Sequence, residues 1–245
     1  MADSVIAFST ERHCTDADAP YDGFNVTHYS GDSQEHVQRC RQQLCRQLGI
    51  ADDHLIVPRQ VHGTCIQEVT AGNLSSPFED TDALITRLHG VCIGVSTADC
   101  VPLLFYDKRT DAVAAAHAGW RGTEARIGAL TLQAMCCAFD CVPENVECVV
   151  GPSIGPDAFE VGDEVYDAFA LAGFPMDEIA FRAPDTQKWH IDLWRANVWQ
   201  LTEAGMSEEH VHVSGICTYT HCSRFFSARR LGIQSGRIFT GVMMK

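Results

Sequence analysis

The sequence predicts an α/β (α+β) protein built on mixed sheets, and three observations carry that reading. Short continuous apolar runs bounded by turn residues mark buried strands, and three longer segments carry apolar residues at helical spacing. The strands come both in hairpins and separated by helices, which argues against a parallel doubly wound sheet. In chain order, Asp32-Ser33-Gln34-Glu35 reads as a capping box. Val37, Leu44 and Leu48 then share a helical face until Gly49 supplies a C-cap, predicting a helix over about 33–48. Val91 to Val95, Val101 to Tyr106 and Val113 to Ala116 read as buried strands, the last two joined by a hairpin turn over Asp107 to Asp111. Thr123 reads as the N-cap of a second helix carrying Ile127, Leu130 and Ala134. Val146 to Val150 is a strand ending in the loop Gly151-Pro152-Ser153-Ile154-Gly155-Pro156. Asp192 caps a helix that turns Trp194, Val198 and Leu201 to the core and closes near Gly205. Val211 to Ile216 and Arg237 to Met244 supply closing strands, and Phe225 to Arg230 alternates so as to put Arg229 on the strand face of Ser227.

The 245 residues contain no Pro/Ser-rich linker, low-complexity tract or 20-to-50-residue repeat, so one domain over 1–245 is expected. Thirty-two acidic against eighteen basic side chains give a net charge of -14, which repels nucleic acid and an anionic membrane surface. Small anionic substrates stay compatible with that field, because local Arg and backbone N–H groups dominate inside a pocket. Met1-Ala2-Asp3-Ser4-Val5-Ile6 lacks a basic n-region and a long apolar h-region, and no later run reaches membrane-span length, so a cytoplasmic protein is expected. Most of the twelve cysteines are then expected to be reduced: Cys65, Cys92 and Cys148 as small buried hydrophobes, and Cys136, Cys137 and Cys141 as helix-packing residues.

Two stretches carry candidate chemistry. Thr97-Ala98-Asp99-Cys100-Val101-Pro102 and Ala116-His117-Ala118-Gly119-Trp120-Arg121-Gly122-Thr123 place a thiol and an imidazole at the ends of apolar runs, where functional groups are mounted on a rigid scaffold. His62, in Arg59-Gln60-Val61-His62-Gly63-Thr64, stands at the edge of another short strand. Two His and one Cys suit an open zinc site with a fourth position for water or substrate; a hydrogen-bonded His closing a strand and a small core Cys are the plainer alternatives. Asp99 is awkward between two apolar strands unless it orients a ligand or handles a proton. The turn at Gly119 to Gly122 joins a strand to a helix, so its N–H groups, with Arg121, suit an anion.

Gln60-Val61-His62-Gly63, Thr81-Asp82-Ala83-Leu84-Ile85-Thr86, Thr97 to Pro102, Ala116 to Gly122, Gly151-Pro152-Ser153-Ile154-Gly155, Phe159-Glu160-Val161-Gly162 and Phe226-Ser227-Ala228-Arg229-Arg230 together resemble the laccase-domain (YfiH-type) family, in order and approximate spacing from about Phe8 to the C-terminus. The resemblance implies a β-sandwich of mixed sheets surrounded by helices. It also implies a purine nucleoside phosphorylase acting on adenosine, inosine or methylthioadenosine, with adenosine deaminase activity among relatives. His62, Cys100 and His117 are then the zinc-binding catalytic triple. Bacterial relatives also bear the names polyphenol oxidase and peptidoglycan editing factor. Ser9 to Thr15 lacks the glycine pair the family usually shows, and Cys40-Arg41 keeps only the Arg of its Asn-Arg pair.

Phosphorolysis needs phosphate beneath the ribose and a proton for the departing purine. On this reading Arg41, Gln60, Gly119, Trp120, Arg121 and Arg229 face nucleoside and phosphate, Asp99 joins the catalytic triple, zinc is the cofactor with copper possible in vitro, and the protein is a monomer or small homo-oligomer. The alternatives are a cysteine hydrolase with Cys100 as nucleophile and His117 as base, acting on an amide such as one in a cell-wall precursor, and a copper-dependent polyphenol oxidase. The latter is poorly equipped, since His210-Val211-His212 is the single His-x-His. A non-enzymatic binding module is the weakest reading. Two expectations are geometric: the three ligands converge within about 5 Å, and an anion pocket lies between Arg41 and the Gly119 turn.

Overall fold

The computed structural model describes residues 4–245, so Met1, Ala2 and Asp3 of the expected leaderless N-terminus lie outside the described residues. Along the chain come β1 (Val5–Ser9), α1 (Gln34–Leu48), β2 (Leu55–Ile56), β3 (Ile66–Glu68), β4 (Ala83–Thr86), β5 (Cys92–Thr97), β6 (Val101–Asp107), β7 (Ala112–Ala118), α2 (Trp120–Glu124) and α3 (Ile127–Phe139). There follow β8 (Val146–Val150), β9 (Glu160–Val161), α4 (Asp163–Leu171), α5 (Met176–Ile179), β10 (Ala180–Arg182), β11 (Trp189–Ile191), α6 (Leu193–Glu203), β12 (Val211–Val213), α7 (Ala228–Leu231) and β13 (Ile238–Met244).

Two mixed sheets form the sandwich, ordered β12-β8-β6-β7-β4-β3 and β1-β13-β5-β2, with a small third sheet β10-β11-β9. Leu84, Leu104, Tyr106, Val113 and Ala115 of the larger sheet meet Val5, Ile93, Val95, Val242 and Met244 of the smaller. The alternate residues Ala83, Ile85, Leu103, Phe105 and Ala114 pack on the other face against Ile127, Leu132 and Met135 of α3 and Ala196 and Leu201 of α6. Helix α1 covers the outer face of the smaller sheet, where Cys40 and Leu44 meet Cys92, Phe239 and Met243. With both faces covered, the central strands read as unbroken apolar runs. No helix among the described residues is long and apolar enough to cross a membrane.

Several local expectations change. Ser33 is the N-cap of α1, but its side chain makes no capping bond. Asp32 takes over locally, accepting from the Ser33 N–H and from His36 Nδ1. Thr123 lies inside α2, its hydroxyl donating to the Ala118 carbonyl; α3 starts four residues later, at Ile127, after Arg126 adopts a left-handed φ of 63°. Phe225 to Arg230 is not a strand: Ser227 caps α7 by accepting from the Arg230 N–H, so Arg229 leaves the expected strand face. The closing strand β12 stops at Val213. All twelve cysteines are free, and Cys92 and Cys148 are buried as expected, but Cys65 is exposed because β3 begins one residue later, at a sheet edge.

The two caps make a matched test. Asp192 accepts the Arg195 N–H and holds the start of α6, so Asp192→Ala should cost about 1 kcal/mol in denaturant melts, against a few tenths for Ser33→Ala.

Candidate metal centre and active site

Strand register brings the site together. Ala83 pairs with Ala116 and Pro102 with His117, so His117 stands beside both β4 and β6 at one end of the larger sheet. The ladder runs one step past Ala83: the His117 N–H donates to the Asp82 carbonyl. His117 is buried, Cys100 half-buried on the turn before β6, and His62 exposed on the loop after β2, with a left-handed φ of 63°. One donor atom from each of His62, Cys100 and His117 lies within 4.8 Å of the others, and Cys100 Sγ is 3.8 Å from His62 Nε2. The expected convergence is met.

The anchor of this cluster is Asp82, quoted in a sequence motif but given no role. Its carboxylate, fully buried, accepts the Nδ1–H of His117 at 2.8 Å and the backbone N–H groups of Val61, His62 and Gly63 at 3.2, 2.9 and 2.8 Å. Burial pushes the Asp82 carboxyl up, but the His117 bond and charge and the loop N–H groups outweigh it and hold it below the ordinary carboxylate range. An ionised acceptor fixes the His117 proton on Nδ1 and leaves Nε2 for the cluster, the arrangement that carboxylates impose on metal-bound histidines. Burial also pushes the Cys100 thiol up, and the His117 and His62 imidazoles overcome this to bring it down to about 6. Burial lowers His117, whereas the Cys100 thiolate and Asp82 raise it to about 9. Cys100 and His117 thus each favour the charged form of the other.

The donor set fits a metal. Bonds of about 2.0–2.3 Å around a tetrahedral ion put ligand atoms about 3.5 Å apart, and Cys100 Sγ and His62 Nε2 stand at 3.8 Å within a triple spanning 4.8 Å. Gly119 leaves room for the cluster: a Cβ there would stand 2.9 Å from Cys100 Sγ and 3.1 Å from His62 Cδ2 and would push both ligands aside.

The triple opens onto a cavity of about 690 Å³ lined also by Tyr29, Gln60, Thr97, Asp99, Trp120, Ile154, Phe159, Arg229, Ile233 and Arg237. Its occupants modify the expected set. Asp99, at a left-handed φ of 82°, does not orient a ligand: its carboxylate accepts the Thr218 hydroxyl at 2.7 Å and the Arg229 N–H at 2.6 Å. Gln60 lines the wall with its amide engaged, donating to the Ser96 carbonyl and accepting the Ser96 N–H. Trp120 faces the cavity, whereas Arg121 lies over the Trp120 ring at 4.2 Å, outside the lining. Arg41 belongs elsewhere: its guanidinium donates to the Val26 and Leu55 carbonyls and lines a separate cavity with His28 and Asp52, so the pocket expected between Arg41 and the Gly119 turn does not form. Arg237, which the sequence reading did not single out, occupies the main cavity instead. A buried acid between apolar neighbours was the available signal for Asp82, the same signal read at Asp99.

Three converging ligands, one at a strand end and two on the loops beside it, facing an aromatic-lined cavity, are the build of an enzyme for small molecules. The chain belongs to the family described as multi-copper polyphenol oxidoreductase laccase, whose model matches residues 6–245. It is 45% identical over 248 residues to a purine nucleoside phosphorylase of Bacteroides thetaiotaomicron, covering 98% of this chain and 92% of that protein. It is 42% identical over 250 residues to adenosine deaminase RL5 from an unknown prokaryotic organism, covering 99% and 95%. The crystal structure of YlmD from Geobacillus stearothermophilus superposes with a TM-score of 0.91 at 29% identity, covering 99% of this chain and 93% of that one. The β-sandwich of mixed sheets surrounded by helices is thereby established.

Asp82→Asn should keep the fold but weaken metal binding about 10- to 100-fold in chelator competition. In metal-free protein, the thiolate of Cys100 forms as pH rises through about 6, so its alkylation, mapped by mass spectrometry, should inflect there. His117→Ala should move that inflection toward the ordinary thiol value of about 8.5.

Proposed function

We propose that this protein is a zinc-dependent purine nucleoside phosphorylase that splits adenosine, inosine or methylthioadenosine with inorganic phosphate into free base and ribose 1-phosphate. The carrying observation is the His62–Cys100–His117 cluster facing a cavity that holds both aromatic walls and guanidinium groups. The names of the relatives support the same reading. His62, Cys100 and His117 would hold the ion, and zinc, when bound, supplies a Lewis acid. Cleavage of the glycosidic bond builds positive charge on the ribose and needs an anion close by. Tyr29, Trp120 and Phe159 offer surfaces against which a purine packs, and Arg229 and Arg237 favour the anion. Asp99 sets the wall rather than moving a proton, because both its oxygens are engaged. Twelve free cysteines suit the reducing cytoplasm, where we place this activity.

A second reading, a cysteine hydrolase, is favoured by one observation: the Cys100 thiol brought down to about 6 beside His117. Metal separates the two, since a thiolate committed to zinc is a poor free nucleophile.

Protein of defined zinc content, incubated with adenosine, should release adenine and ribose 1-phosphate only when phosphate is present. Adenine without phosphate would make it a hydrolase, and inosine a deaminase. Cys100→Ala should abolish turnover and zinc binding together, at a stability cost of roughly 1 kcal/mol. Full activity in that variant would remove the site from the reaction.

A further inference from the structure

Arg237 immediately precedes β13 and lines the main cavity. It is partly buried, and no carboxylate lies within ion-pair distance of it among the described residues. A guanidinium carries five N–H donors. In Arg237, Nη1 donates to the Ser235 carbonyl and hydroxyl and to the Gly236 carbonyl, and Nη2 donates to the Ile233 carbonyl. Those acceptors occupy both Nη1 hydrogens and one on Nη2. The Nε–H and the second Nη2 hydrogen have no protein acceptor among the described residues, and Nε is not one of the buried unpartnered atoms. These carbonyls and the Ser235 hydroxyl therefore hold Nη1 and one hydrogen of Nη2, leaving the Nε–H and one Nη2 hydrogen as charged donors for an oxyanion. The other cation of the cavity is held differently: Arg229 turns both Nη groups to the single Glu160 carbonyl, and the Glu160 carboxylate is itself paired with Lys188.

We propose that the free donors of Arg237 are the seat of the oxyanion co-substrate, inorganic phosphate on the reading given above, in place of the expected seat at Arg41 and the Gly119 turn. In a chain of net charge -14, Arg237 is a cation set into a cavity without a carboxylate paired to it, and a polyatomic anion offering two acceptor oxygens matches its free donors. The assignment rests on the phosphorylase reading only for the identity of the anion.

The test titrates inorganic phosphate into the zinc-loaded protein, following ³¹P line broadening, with and without adenosine, alongside phosphate-dependent turnover. Arg237→Lys keeps the charge but not the two-donor edge. It should raise the phosphate dissociation constant and the phosphate KM at least tenfold, with the adenosine KM within twofold of wild type. Because Arg237 also ties down the loop over 233–236, a measurement on unaltered protein accompanies it: phosphate should protect Arg237 from phenylglyoxal, read by mass spectrometry. Equal phosphate affinity in wild type and Arg237→Lys, or absence of protection, overturns the seat. Loss of inorganic phosphate binding on adding adenosine also overturns it, pointing to the phosphate group of a nucleotide instead. Phosphate binding that depends on Arg237, without any phosphorolysis, keeps the seat and rejects the phosphorylase reading.

Discussion

The candidate site depends on one buried carboxylate. Asp82 accepts one imidazole N–H and three successive loop N–H groups, and so joins β4, β7 and the His62 loop at a single point. A lone buried charge costs several kcal/mol, so the anion persists only because these donors surround it. The dependence runs both ways. The Val61–Gly63 loop holds a histidine in the left-handed region, a conformation that persists when surrounding bonds over-determine it, and here the carboxylate supplies those bonds. Two ligands that come from a loop and a strand thus share one geometric reference, while the third, Cys100, is fixed by the β6–β7 register.

Two separate stretches of the chain furnish the cavity. His117 of β7, Cys100 on the turn before β6 and His62 on the loop after β2 provide the candidate metal ligands, whereas the segment 228–237 adds Arg229, Ile233 and Arg237 to the lining. Asp99 connects the two, since the residue next to Cys100 accepts the Arg229 N–H. Its left-handed backbone has the same meaning as that of His62: a turn held in an uncommon conformation by the contacts it makes. A polar residue in an apolar setting can therefore be structural and still bear on function, by setting where a neighbour's side chain begins.

What could be read from the sequence follows the range of the interaction behind it. The strands β5 to β8 and the helices starting near Ser33 and Asp192 were legible because burial on a sheet face and local capping leave short-range patterns. The triple His62, Cys100 and His117 was legible from ligand type and position at strand edges, and from the motifs shared with the family. Roles set by distant partners were not. Asp82 and Asp99 look alike in sequence, both acids beside apolar runs, and only pairing across the sheet decides that the first holds His117 and the second holds α7. Arg41 follows a plausible pattern, yet the packing of α1 on the smaller sheet carries it to the Leu55 and Val26 carbonyls. The break between α2 and α3 was hidden because a left-handed Arg126 has no composition signal comparable with a glycine.

The metal cluster and the facing cations also explain one another. Cys100 brings a thiolate to the cavity beside His117, whose positive charge offsets it. A divalent cation held by the triple would add positive charge there, and Arg237, held by carbonyls and a hydroxyl rather than by a carboxylate, keeps its own charge unpaired. An ion pair at Arg237 would have stabilised the loop at the expense of that charge, whereas neutral carbonyl acceptors hold the side chain in place and leave its charge available. Neutral acceptors thus position Arg237, while a buried carboxylate positions His117 and the His62 loop.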